Sequence, residues 1–98
     1  VFCGNDLIAR DLYRLIKKEG RKIPDDISIV GAGNLEFSEF LNPPLTTINQ
    51  HPFEIGSQAA KLILERIGQT SNAPVTPLRL NVKGTLVPRD SVKEISEK

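Results

Sequence analysis

Between residues 7 and 19 the apolar positions Ile8, Leu12, Leu15 and Ile16 recur at helical spacing, which predicts a helix buried along one side. Asn5 or Asp6 is suited to cap its start, and Gly20 supplies the left-handed stop. Ahead of the helix, Val1, Phe2 and Cys3 read as the end of a short strand, with Gly4-Asn5-Asp6 as the turn. Behind it, Ile23-Pro24-Asp25-Asp26 is a turn, and residues 27–30 form a short apolar strand expected to be buried on both faces. A strand, a helix and a strand at this spacing make a right-handed parallel unit, so the fold class is α/β.

The pattern then changes character. After Gly31 comes a mixed loop through Phe40 with room for one helical turn, followed by Asn42-Pro43-Pro44-Leu45-Thr46-Thr47-Ile48. Two consecutive prolines remove two backbone donors and fix φ twice, so neither a helix nor a central strand runs through them. The β-branched residues after them suit a strand, and the whole reads as a rigid, extended entry into it. A second helix fits residues 52–67, with Ile55, Ala59, Leu62, Ile63 and Ile67 as its apolar stripe, Pro52 in its first turn and Gly68 at its end. Residues 69–77 are a polar, proline-bearing linker. Leu78, Leu80 and Val82 alternate with Arg79, Asn81 and Lys83 as a half-exposed strand. Leu86-Val87 is one more short strand, halted by Pro88.

Composition narrows the function without naming it. The chain has 98 residues, 39% hydrophobic and 26% charged, with a net charge of +1, which is globular and offers no polyanion-binding surface. Its one basic knot, Lys17-Lys18-Glu19-Gly20-Arg21-Lys22, falls where cations complement a helix C-terminus. The single cysteine, Cys3, excludes an internal disulfide, suits a reducing compartment and reads as a small buried hydrophobe. No apolar run is long enough to span a membrane. With no methionine and a start resembling mid-strand, the chain is expected to be a segment of a longer protein, with residues 92–98 as its polar tail.

Ligands in open α/β sheets bind at the carboxyl ends of strands. Asn5 sits at such an end and also at a helix start, so its amide can grip a sugar or base, or cap the helix; the residues alone leave both open. Asp6 reads as a cap or a loop stabiliser. The second strand end is Gly31-Ala32-Gly33-Asn34, which fails as a dinucleotide fingerprint because Glu36 stands where the third glycine is required. Gln50 and His51 follow the third strand. His51 has no second His or Cys at ligand spacing, so no metal site is expected. Ser28, Ser38 and Ser57 lack a G-x-S-x-G elbow, so nucleophilic catalysis has no support and a small α/β enzyme ranks last. Tyr13, Phe37, Phe40 and Leu41 are more apolar than their loop and helix flank require, which fits core packing or an interface.

Five stretches in order, Phe2-Cys3-Gly4-Asn5-Asp6-Leu7-Ile8-Ala9, Ile23-Pro24-Asp25-Asp26-Ile27-Ser28-Ile29-Val30-Gly31, the proline connector, Gly56 with Ala59-Ala60, and Leu86-Val87-Pro88-Arg89-Asp90-Ser91, resemble the C-terminal third of the lactose-repressor-like (LacI/GalR) family of bacterial transcription regulators. The resemblance runs from Val1 to about Ser91. It implies a fragment of a two-lobed, doubly wound parallel-sheet core of the periplasmic-binding-protein type, crossed three times by the chain. Residues 1–45 and 79–91 would belong to the C-terminal subdomain and residues 46–78 to the N-terminal one, with hinge strands near 46–50 and 74–80. It further implies a cytoplasmic homodimer that binds a small-molecule effector, without a cofactor, and operator DNA through a helix-turn-helix outside this segment.

By the same resemblance Asn5 and Gln50 contact the effector. The chain departs from the family at Gly33, where sugar- and purine-responsive members usually carry an aspartate. Either Asn34 takes over part of that role, or the effector is anionic or bulkier. Comparable regulators pair through the helix and loop that here carry Tyr13, Phe37, Phe40 and Leu41, so Leu41→Asp is expected to give a monomer. The alternative function is a periplasmic solute-binding protein of a transport system, which shares the fold.

Overall fold

A computed structural model describes residues 1–68 and 79–95, in the order α1 (Asp6–Lys18), a 3-10 turn (Glu36–Phe40), β1 (Thr47–Asn49), α2 (Pro52–Gly68) and β2 (Thr85–Val87). They divide into two compact units, Val1–Gln50 with Gly84–Lys98, and His51–Lys83. The boundaries follow residues 50 and 83, later in the chain than the subdomain limits at 45 and 78 expected from the sequence.

The first unit is built on neighbouring chain segments that pair side by side. Phe2 bridges Val30 and Val30 bridges Thr46, both in parallel, and β1 pairs antiparallel with β2 through Thr47↔Val87, Ile48↔Leu86 and Asn49↔Thr85. Backbone bonds extend the parallel pairing: Cys3 N to Val30 O at 2.7 Å, Val30 N to Val1 O at 2.9 Å, Gly31 N to Thr46 O at 2.9 Å and Gly33 N to Ile48 O at 2.9 Å. The expected strand over 27–30 is thus narrower, centred on Val30, and the proline connector delivers the chain into β1 as its stiffness requires.

α1 starts where Asn5, in extended conformation, accepts at its side chain from Ile8 N, and ends where Gly20 at φ 73° lets Gly20 N reach Lys17 O and Arg21 N reach Ile16 O. Its buried face differs from the expected stripe. Asp6, Ala9, Tyr13 and Ile16 point inward, while Ile8 and Leu15 are 52% and 55% exposed. The helix carries two apolar faces, and the sheet takes the one whose small Ala9 permits close approach. Cys3, Ala9, Tyr13, Ile16, Ile29 and Leu45 form the core, with Leu12, Ile23, Ile27 and Leu41 packed against it. Burial pushes up the Cys3 thiol pKa and that of Tyr13, the latter to about 12.

In the second unit α2 begins after His51, whose carbonyl accepts from Ile55 N, and buries none of its residues fully. Ile55, Ala59 and Leu62 line a shallow groove with Leu80 and Val82. Residues 79–83 form no strand ladder: their alternation is suited to one, but a strand exists only with a partner. The expected linker at 69–77 and Leu78 lie outside the described residues. No described helix is long and apolar enough to cross a membrane.

Candidate functional site

Parallel pairing places the carboxyl ends of three segments in one row. Three positions beyond the bridged residues Phe2, Val30 and Thr46 stand Asn5, Gly33 and Asn49. Asn34 and Gln50 come one position later. The sequence pointed to Asn5 and to the strand end at Gly33 and Asn34, and the family resemblance to Gln50; the sheet register places all four along one edge of the first unit. It adds Asn49, half-buried at the end of β1, which the sequence did not mark because a residue within a strand pattern carries no local sign of standing at its end.

The members of this row differ in how they are held. Asn5 is exposed, and its Oδ1 accepts from Ile8 N at 2.8 Å, so the helix-cap role is realised. That bond uses the carbonyl oxygen only, which makes cap and ligand contact compatible. Gly33 is at φ 119°, a conformation that side chains rarely adopt. An aspartate at Gly33 would therefore be strained. Asn34 is also left-handed at φ 51°, and its Oδ1 accepts from Arg89 Nη2 at 3.0 Å. Its amide oxygen thus serves the frame. Gln50 is exposed.

Behind the row lies a polar frame that the sequence did not reveal. Asp6 is fully buried in the first turn of α1; its Oδ2 accepts from Leu35 N at 2.8 Å and its Oδ1 from Thr47 Oγ1 at 2.7 Å. Burying a carboxylate is costly without such donors, and the helix N-terminus adds a favourable dipole. Thr47 Oγ1 in turn accepts from Asn34 N at 3.3 Å. On the other side Arg89 Nη1 donates to Ser38 Oγ at 2.7 Å and Leu45 O at 2.9 Å, while Arg89 N donates to Thr46 Oγ1 at 2.8 Å. Ser91 Oγ donates to Ile29 O at 2.5 Å and accepts from Thr46 N at 2.8 Å. The signals available were Thr46-Thr47 and Arg89-Asp90-Ser91, noted as motifs but not as partners, because their contacts bridge some forty residues of chain or more.

The four residues considered for an interface part company. Tyr13 is only 3% exposed, and its hydroxyl donates to Pro43 O at 2.8 Å, so its side chain belongs to the core and is withdrawn from the interface set. Leu41 is half-buried against that core. Phe37 is half-buried beneath the Arg10 guanidinium, 5.2 Å from its ring centroid. Phe40 is 79% exposed. An aromatic ring so exposed beside a packed loop is a natural contact for another surface.

The periplasmic binding protein-like domain family matches residues 1–92. The HTH-type transcriptional repressor PurR of Vibrio campbellii is 36% identical over 96 residues, which are 98% of this chain and 28% of that protein. A LacI family transcriptional regulator from Enterococcus faecalis, solved with bound ribose, is 40% identical with a TM-score of 0.80, covering 93% of this chain and 33% of that one. A LacI family regulator from Enterococcus faecium, also with bound ribose, is 37% identical with a TM-score of 0.80, covering 94% of this chain and 33% of that one. The chain therefore spans only about a third of the length of these relatives.

Proposed function

Since the chain belongs to the periplasmic binding protein-like family and, within it, to the LacI/GalR-type regulators, we propose that it is the effector-binding and dimerising part of a ligand-controlled transcription regulator. The observation that carries this reading is the row of carboxamides at the strand ends. Asn5 and Gln50 are exposed there, beside the glycine turn at Gly33. Carboxamides donate and accept at once, which matches the hydroxyls of a neutral sugar. Two similar regulators have ribose bound, and a small sugar is the effector class we assign. Phe37, Phe40 and Leu41 contribute to a homodimer contact, which two operator half-sites call for. Residues outside this segment contact the operator DNA.

The effector acts by binding one arrangement of the regulator better than another, with a coupling of about 1–3 kcal/mol per site. The work is done in the cytoplasm, where the free, buried Cys3 stays reduced. A transport-linked solute-binding protein shares the fold, but the relatives named above are transcription regulators, which favours the present reading.

Asn5→Asp provides the test in the full-length regulator. It retains the oxygen that caps α1 and removes the amide donor offered to the ligand. D-ribose and cellobiose are added to wild type and variant in thermal-shift and calorimetric titrations. At a hundredfold excess over Kd, a bound sugar stabilises the folded state by about 2.7 kcal/mol. Wild type is expected to bind one sugar, and the variant to bind it at least tenfold more weakly with an unchanged ligand-free Tm. A wild type indifferent to both at millimolar concentration, or a variant that binds normally, overturns the assignment.

A further inference from the structure

One residue of the closing segment touches both functional regions. Arg89 reaches Asn34 Oδ1 with Nη2 at 3.0 Å, and Ser38 Oγ with Nη1 at 2.7 Å, while Leu45 O accepts from Nη1 at 2.9 Å. Asn34 stands at the proposed effector edge. Ser38 is buried inside the Glu36–Phe40 turn, between Phe37 and the exposed Phe40. Ser38 Oγ also donates to Leu35 O at 2.7 Å, and its backbone carbonyl accepts from Leu45 N at 2.9 Å, so Ser38 ties the middle of the turn to both flanking segments. We propose that Arg89 is a positioning residue that couples the effector edge to the dimer-contact turn, its guanidinium fixing Asn34 and Ser38 relative to each other. This inference rests on the regulator reading given above.

The physical case is one of geometry. A planar guanidinium presents several donors in a fixed fork, so movement of Asn34 by a ligand shifts the same rigid group that holds Ser38. Asn34 is held left-handed at φ 51°, and two further contacts bear on the same stretch of chain: Thr47 Oγ1 on Asn34 N at 3.3 Å and Asp6 Oδ2 on Leu35 N at 2.8 Å. Those contacts fix the side facing α1 and β1. The Arg89 guanidinium joins Asn34, Ser38 and Leu45 O in one fork, and Ser38 Oγ adds a direct 3.5 Å contact to Asn34 Oδ1. A lysine is a point charge on a flexible stem and cannot hold all three acceptors in one plane.

The experiment compares full-length wild type, Arg89→Ala, Arg89→Lys and Ser38→Ala by sedimentation velocity over a concentration series, with hydrogen exchange of peptides covering residues 33–41 and 6–18. Ser38→Ala removes the Arg89 contact together with the hydroxyl's own bonds to Leu35 O and Asn34 Oδ1, so Arg89→Lys, which keeps the charge and loses the planar fork, carries the test if Arg89→Ala is not recovered folded. The expected result is a dimer dissociation constant raised at least tenfold in Arg89→Ala and Ser38→Ala, with Arg89→Lys in between. Exchange should quicken at least tenfold over 33–41 and stay unchanged over 6–18. A dimer constant within twofold of wild type, or protection lost equally in α1, overturns the coupling and leaves the regulator reading intact. A wild type that remains monomeric at every concentration instead sinks the dimer assignment, and the coupling with it.

Discussion

Thr47→Val tests whether the polar frame behind the strand ends is held by hydrogen bonds or by packing. Thr47 is fully buried, with its hydroxyl donating to Asp6 Oδ1 at 2.7 Å and accepting from Asn34 N at 3.3 Å. Valine keeps the shape and removes both bonds. A hydrogen bond to a charged group contributes about 1.5–3 kcal/mol, and the longer neutral one about 0.5–1 kcal/mol. The extra methyl returns roughly 0.8 kcal/mol of burial. The net expectation is a loss of about 1–3 kcal/mol, a factor of roughly 5 to 150 in the folded-to-unfolded ratio. Thr47→Ser is the matched control: it retains the hydroxyl and gives up one methyl, at about 1 kcal/mol. Urea unfolding of the full-length protein, followed by circular dichroism and by exchange of the α1 amides, ranks the three. Hydrogen bonding requires wild type, then Ser, then Val. Packing alone predicts the reverse order for the two variants. A valine variant within about 0.5 kcal/mol of wild type would refute the reasoning, since no buried acceptor would then have depended on that hydroxyl.

Other outcomes follow from the same structure. Phe40→Asp should abolish the proposed dimer in sedimentation while changing monomer stability by no more than about 0.5 kcal/mol, because the ring is exposed; Leu41→Asp should also lower stability, because Leu41 leans on the core. Tyr13 has a folded pKa raised to about 12 from 10, so its neutral form is favoured in the folded state. Its contribution is complete below pH 10 and is lost as pH rises through 12, and unfolding titrations should show a fall in stability over that window that Tyr13→Phe lacks. Gly31→Ala sets a Cβ against Asp6 Oδ1 and 2.9 Å from Leu45 Cδ2, and denaturant midpoints should report a loss of about 1–3 kcal/mol.

The limits of both helices were legible in the chain. Asn5, Gly20 and Pro52 carry local backbone preferences that act within a few residues, and the helices start or stop at or next to them. Stiffness of Pro43-Pro44 and the entry into β1 were legible for the same reason. The strand-end rule put Asn5, Gly33 and Asn34 at strand ends, since it needs only the order of strands and turns, while Gln50 came from the family resemblance.

Burial and partnership were decided by the tertiary structure. α1 has apolar residues on two faces, and its sequence gives Ile8 and Leu15 as strong a claim to the core as Ala9 and Tyr13; the neighbouring sheet chose the second pair. Asp6, by type alone, belongs in water, yet it is among the most deeply buried residues described because Leu35 and Thr47 bring donors to it. Arg89 likewise finds acceptors at Asn34, Ser38 and Leu45, far away along the chain. Periodicity and capping are local energies, and a sequence displays them. Which face meets a sheet, and which distant donor meets a buried carboxylate, depends on contacts that exist only once the chain has closed on itself.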